Sequence, residues 1–308
     1  EAVNTGARLK SLAGADDILV SSETNRLITP YFETIALEET RLKGKKESTV
    51  PYQVIAKSKI QTRFEAAEQK GFTPYTGRDQ ELNILSTCLD KAVRGKGQFV
   101  TVVGEAGVGK SRLHYELRHM LDREKITVLQ GWCQSYGSDI PYLPLIDALR
   151  RGLSLKEEDS SAKLLEKAVT NIKAIDPSLE QFIPLYLHLL SIPSDYHLPA
   201  RLQGKELRKA MEEALAAIIS LNTQHRPMVM ILEDWHWSDD ASQSALRHII
   251  DVTVSVPLML VVTYRPTYSG SWGHLSYHTP VILRPLNISN TENIIKSVTG
   301  AEHLPERL

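Results

Sequence analysis

The chain has 308 residues, enough for about two domains with a sizeable core. Its 36 Lys plus Arg nearly balance 37 Asp plus Glu, for a formal net charge of −1, which argues against non-specific nucleic-acid binding. Apolar residues make up 42%, and the longest apolar runs, such as VPLMLVVTY at 256–264, fall short of the ~20 residues of a membrane span, so no membrane segment is expected.

Cys88 and Cys133 are far apart and in no metal-ligand pattern, which makes a disulfide framework improbable and a cytoplasmic setting the expectation. The chain opens on EAVNTGARL rather than on methionine and reads as a piece of something longer.

Taken in order, residues 1–56 read as a short helix, a strand at DILVSS, a second helix and a closing strand at PYQVIA. About 55 residues make a marginal core unaided, so this block is expected to be the tail of a larger domain. Residues 57–72 are charged and polar and read as a linker. From residue 73 the rhythm changes. ELNILSTCLDKAV has helical spacing, QFVTVVG is a buried strand, KSRLHYELRHML a helix and ITVLQGWC a second strand. A helical stretch follows over about 142–223, with loops expected at IDPS and SIPSDYHLP and with Leu207, Met211, Leu215 and Ile218 on one helix face. PMVMILED, LMLVVTY and PVILRPL are three further strands, with a helix from about Asp239 between the first two. Continuous apolar strands alternating with helices predict an α/β fold, a mostly parallel sheet covered on both faces over residues 73–285.

One loop in this region carries chemistry. Gly104, Gly109, Lys110 and Ser111 satisfy G-x-x-x-x-G-K-[ST] between a strand and a helix. Glycines let the backbone curl so that its N–H groups point at phosphate oxygens, and the helix start adds about half a positive charge. The expected nucleotide-binding set is therefore Gly104, Glu105, Ala106, Gly107, Val108, Gly109, Lys110 and Ser111, with Arg112 behind them. Lys110 would reach the β- and γ-phosphates of ATP or ADP, and the Ser111 hydroxyl would ligate Mg²⁺. The competing reading is a glycine-rich turn that binds nothing.

Glu233 and Asp234 end an apolar strand, where parallel sheets place their ligand-binding edge. Together with Ser111 they are the candidate metal site, one acid holding Mg²⁺ and the other polarising the attacking water. The usual ATPase order is Asp then Glu; here it is reversed, and the shorter Asp in the second place suggests slow turnover. An acidic turn facing solvent is the bland alternative. Arg265, at the tip of LMLVVTYRP, is the candidate γ-phosphate sensor, against the alternative of a surface arginine before Pro266.

Together these residues resemble the STAND class of AAA-like signalling ATPases. The resemblance runs from about residue 73 to 308 and includes TPYTGRDQEL, GEAGVGKS, GWCQSYGSDIPYLPLIDALR, ILEDWHWSDD and VVTYRP. It implies that Arg78, in the Gly77-Arg78 pair, lies close to the nucleotide, and that LRPLNISNTENI, within 286–308, enters a helical lid. Trp235, His236 and Trp237 are assigned to packing.

The first block, EAVNTGARLKSLAGADDILVSSETNRLI with LKGKKESTVPYQVI, resembles the C-terminal part of class III adenylate/guanylate cyclase catalytic domains. The resemblance implies that Asn4 and Arg8, four apart on one helix face, orient the ribose and stabilise transition-state charge. Spacing alone favours an ordinary polar helix face; it is the surrounding resemblance that reverses this. It further implies a dimerisation partner in the whole protein and metal-binding aspartates upstream of Glu1, so that this fragment cannot cyclise ATP alone.

The expectation that follows is a fragment of a signalling adenylate/guanylate cyclase whose ATPase module binds and slowly hydrolyses Mg-ATP as a switch. Alternatives are a non-hydrolysing nucleotide-gated scaffold and a transcriptional-regulator-type ATPase; an origin-loading type acting on DNA is disfavoured by the near-neutral charge.

Overall fold

The computed structural model describes residues 2–40, 48–58, 71–135, 140–270 and 272–301. Most of the stretch expected as a linker, 59–70, and the last residues of the expected lid, 302–308, lie outside the described residues. The chain divides into two units, residues 1–75 with 297–300 and residues 76–296 with 301–308.

The first unit contains α1 (Ala2–Lys10), β1 (Leu19–Val20), α2 (Ser22–Ile28), β2 (Phe32–Ala36) and β3 (Tyr52–Lys57). Its strands form an antiparallel sheet in the order β1-β3-β2. Two details differ from the sequence expectation: DILVSS contributes only two strand residues, and FETIA forms a strand that its mixed composition did not announce. β2 owes its extended form to pairing with β3 across a bulge at Glu33/Thr34. Ile18, Leu27, Ile35 and Ile55 are more than half exposed, so the described residues of this unit bury little apolar surface. Asn4 and Arg8 both lie on α1; Arg8 is half-buried, and the Asn4 side chain is outside what the structure describes.

The second unit is built on five parallel strands: β4 (Gln98–Val103), β5 (Thr127–Trp132), β6 (Met228–Glu233), β7 (Leu258–Tyr264) and β8 (His278–Ile282). Their spatial order is β5-β6-β7-β4-β8. The interior strands β6 and β7 are buried at every position, as continuous apolar runs require when both faces are covered. Helices α3 (Asp79–Val93) and α4 (Lys110–Met120) flank β4 in sequence. Between β5 and β6 run α5 (Leu143–Gly152), α6 (Ser161–Ile175), a 3₁₀ turn at Pro177–Phe182, α7 (Ile183–Leu189) and α8 (Gly204–Asn222). The IDPS segment, expected as a loop, thus initiates the 3₁₀ turn, with Asp176 accepting the Ser178 N–H. Helix α9 (Asp240–Thr253) precedes β7, and α10 (Ile288–Thr299) follows β8.

The core lies between the sheet and these helices. On α8, Met211, Leu215 and Ile218 are buried and Leu207 packs beside them, the face expected from their spacing. Each such fully buried side chain contributes on the order of 1.5–3 kcal/mol. Gly131 makes the approach of α5 to β5 possible, since a Cβ there would fall 1.9 Å from the Pro144 carbonyl oxygen. Among the described residues no helix is long and apolar enough to cross a membrane.

Two outcomes follow from this packing. Gly131→Ala forces β5 and α5 apart and should cost about 1–3 kcal/mol, read as a lowered urea midpoint. The Asp159 carboxylate, its side chain 1% exposed, meets Lys167 and Lys163 and accepts the Lys156 N–H. Those partners, Lys167 first, hold its carboxyl well below the usual range. Its stabilising effect is therefore complete at neutral pH and fades as pH drops below about 4 towards the folded-state value. Asp159→Asn should lower the urea midpoint at pH 7, with a gap to the wild type that narrows in acid.

Candidate nucleotide site at the sheet edge

The site is assembled at the C-terminal ends of β4, β6 and β7. Leaving β4, the chain turns through Gly104 to Gly109 into α4. Gly107 and Gly109 have φ of 80° and 98°, the left-handed region that costs other residues energy, and Gly109 caps the helix in that conformation. Gly104 is needed for a different reason: a Cβ there would stand 2.7 Å from the Val108 side chain and 3.1 Å from the Leu283 carbonyl oxygen. The Lys110 ammonium lies back along the loop and donates to the carbonyls of Gly104 (2.8 Å) and Glu105 (2.9 Å). Burial lowers its pKa and nearby Arg265 adds to that, against the opposing pull of Asp234, Glu105 and Glu233.

The acidic pair splits into two environments by position. Glu233, the last residue of β6, is buried and accepts the Ser111 hydroxyl on Oε2 at 3.0 Å. Its Oε1 accepts the Gln130 amide and, at 3.1 Å, the Trp132 indole N–H. His114 Nδ1 stands 3.6 Å from Oε2, a contact longer than a hydrogen bond. Burial pushes the Glu233 pKa up, but His114, Gln130 and Ser111 outweigh it, so the carboxyl sits below its ordinary value and stays ionised. Asp234 follows in the left-handed region (φ 55°), and its N–H donates to Thr263 Oγ1 on β7 at 3.1 Å. The tip of β7 thereby ties the acidic turn into the sheet.

Arg265, just past β7, is close enough to Lys110 and His236 to act on both electrostatically, and its buried Nε has no hydrogen-bond partner among the described residues. Arg78 is bonded to the backbone of the loop and of the exit from β8. Its Nη2 donates to the carbonyls of Val108 (3.2 Å) and Arg284, and its Nη1 pairs with Glu81 at 2.9 Å. Its guanidinium is committed to fastening the loop's backbone. Arg112 pairs with Glu116 at 2.6 Å along α4. The structure therefore brings together Gly104–Ser111, Glu233, Asp234 and Arg265 at one edge. Asn4 and Arg8 belong to the other unit.

Several groups escaped the sequence reading. His236, assigned there to packing, sits within electrostatic reach of Asp234, Arg265 and Lys110, with both ring nitrogens buried and unpartnered among the described residues. Burial, helped by Arg265 and Lys110, lowers its pKa and keeps it neutral. Trp235 does pack, fully buried, whereas Trp237 is 39% exposed. Gln130, Trp132 and His114 were also missed. Their signal was the i, i+2 spacing of two donors on β5 and the i+3 step from Ser111 to His114 on α4.

Hard oxygen donors from one hydroxyl and one carboxylate suit Mg²⁺, which is commonly held by one or two carboxylates plus substrate phosphates. Among the described residues no group of three or more His, Cys, Asp or Glu is placed to hold a metal ion.

A family profile for the AAA ATPase domain matches residues 74–262. An uncharacterized protein of Rhizobium meliloti is 27% identical over 307 residues, covering 96% of this chain, which spans 28% of that relative's length. Two solved structures are similar at low identity. One is a signal transduction ATPase with numerous domains (STAND) carrying a tetratricopeptide-repeat sensor from Pyrococcus horikoshii, with 13% identity, TM-score 0.36, and coverage of 75% of this chain and 27% of that one. The other is Drosophila ORC bound to DNA, with 12% identity, TM-score 0.43, and coverage of 86% and 56%.

Removing the Arg78 guanidinium would strand the Val108 and Arg284 carbonyls. Arg78→Met should cost about 1–3 kcal/mol of stability and accelerate amide hydrogen exchange across residues 104–109.

Proposed function

Residues 74–262 make this chain a member of the AAA ATPase domain family, and from that we propose that its larger unit binds Mg-ATP at residues 104–111 and hydrolyses it slowly as a switch within a longer signalling protein. The observation that carries the reading is the 3.0 Å hydrogen bond from the Ser111 hydroxyl to Glu233. It joins the phosphate-loop helix to the acidic strand, the two elements that an Mg-nucleotide must bridge.

In this reading the loop N–H groups and the start of α4 take up the phosphate charge. Lys110 exchanges the Gly104 and Glu105 carbonyls for β- and γ-phosphate oxygens, and Ser111 and Glu233 hold the cation. Bound Mg²⁺ supplies charge neutralisation on the transferring phosphoryl group. Asp234 orients the attacking water and accepts its proton, and Arg265 stabilises charge on the γ-phosphate. Asp234 is one methylene shorter than the glutamate usual in that place, and a weaker hold on the water means slow turnover, which suits a switch.

The smaller unit, by its sequence resemblance, we read as the C-terminal part of a class III nucleotide cyclase domain, with Asn4 and Arg8 as half of a catalytic site whose remainder and dimerisation partner belong to the whole protein. The Rhizobium meliloti relative aligns across both units, which supports their belonging to one longer chain. We place that protein in the cytoplasm. The reversed Glu-Asp order favours one further reading, a scaffold that holds nucleotide without turning it over.

ATP binding should weaken at least about ten-fold in Lys110→Ala, measured by equilibrium titration; equal, weak binding by both proteins overturns the proposal. Asp234→Asn should keep binding and lose multiple-turnover phosphate release. Absence of such release from the wild type favours the scaffold.

A further inference from the structure

We propose that Gln130 and Trp132 of β5 are positioning residues for Glu233, fixing its Oε1 so that Oε2 alone faces Ser111 and a divalent cation. The inference rests on the Mg-nucleotide reading of the site.

The geometry begins with register. β5 and β6 run parallel with Gln130 opposite Ile231 and Trp132 opposite Glu233, so Gln130, Trp132 and Glu233 project from one face of the sheet. On α4, Ser111, His114 and Arg118 recur at steps of three and four residues and lie on one helix face. These two faces meet around the carboxylate.

Oε1 receives two donors, the Gln130 amide and the Trp132 indole N–H, which fill the two lone-pair sites of that oxygen. Oε2 receives the Ser111 hydroxyl and has His114 Nδ1 at 3.6 Å. One oxygen is thus committed to the sheet, and the other is left to the phosphate-loop side.

Each clamp residue is itself held. Arg118 Nη1 donates to Gln130 Oε1 at 2.8 Å. A guanidinium can only donate, so the Gln130 carbonyl must face Arg118 and its NH₂ must face Glu233. The Arg151 guanidinium of α5 lies over the Trp132 ring, 4.3 Å from its centroid, fixing the indole plane.

The reason for such a clamp lies in the reversed acidic pair. A glutamate at the cation position has one more rotatable bond than an aspartate, and a free carboxylate could rotate to present either oxygen or both. Pinning Oε1 removes that freedom before any cation arrives. Trp132 also connects α5 to the cation ligand through Arg151, so a displacement of α5 would reach Glu233.

The test compares wild type with Gln130→Met, Trp132→Phe and the double variant, using fluorescent mant-ATP as the probe and titrating Mg²⁺ from an EDTA baseline. Affinity in EDTA should stay within about two-fold of wild type, while the Mg²⁺ concentration for half-maximal effect rises about ten-fold in the double variant and less in each single one. A folded double variant with the wild-type Mg²⁺ half-point overturns the inference. Should the double variant lose its cooperative thermal transition, the two single variants decide the matter by the same criterion, since Trp132→Phe keeps an aromatic ring while removing the donor, and Gln130→Met keeps the length of the side chain. A wild type whose binding ignores Mg²⁺ overturns the Mg-nucleotide reading along with this one. A responsive wild type whose folded variants keep its Mg²⁺ half-point overturns the clamp alone.

Discussion

A carboxylate buried as deeply as Glu233 stays ionised only if its oxygens are hydrogen-bonded, and that requirement organises the larger unit's working edge. The donors come from two elements, Ser111 from the phosphate-loop helix and Gln130 and Trp132 from β5, converging on the end of β6. Moving any one of these elements by a few ångströms would leave a buried charge short of partners. The hydrogen bonds that satisfy Glu233 therefore also fix where α4 stands relative to the sheet.

Strand order gives this arrangement its second feature. β7 is interposed between β4 and β6, so the phosphate loop and the acidic turn are not sequential neighbours on the sheet edge but flank a third strand tip. That tip is used on both sides. Thr263 accepts the Asp234 N–H, and Arg265 reaches the electrostatic neighbourhood of Lys110 and His236. Two cations, a neutral histidine and Asp234 thus gather at an edge where phosphates would add negative charge. Lys110 has its pKa lowered there by burial and by Arg265, a cost that an anionic ligand would relieve.

Arg78 acts on the site through the loop's backbone. Its fork spans the carbonyls of Val108 and Arg284 and the carboxylate of Glu81, so the loop's curvature is held by the segment just before α3 and by the exit from β8. Gly77 beside it has φ of 75° and leaves no room for a Cβ against Asn290. The Gly-Arg pair serves backbone geometry first.

Much of this was legible in the chain itself. Five apolar runs became five strands, the spacing of Leu207, Met211, Leu215 and Ile218 became the inner face of α8, and G-x-x-x-x-G-K-S became a strand–loop–helix with two left-handed glycines. These are local matters, set by side-chain periodicity and by which residues tolerate which backbone angles. FETIA was missed because its strand exists only through pairing with β3, and the proximity of His236 to Lys110 and Arg265 is not written in a three-residue aromatic turn. The order β5-β6-β7-β4-β8, the two-sided hold on Glu233 and the commitment of Arg78 to carbonyls all join residues from 30 to more than 200 positions apart. No window of sequence contains such pairs. They were decided when buried strands chose neighbours and buried polar groups had to find partners across the fold.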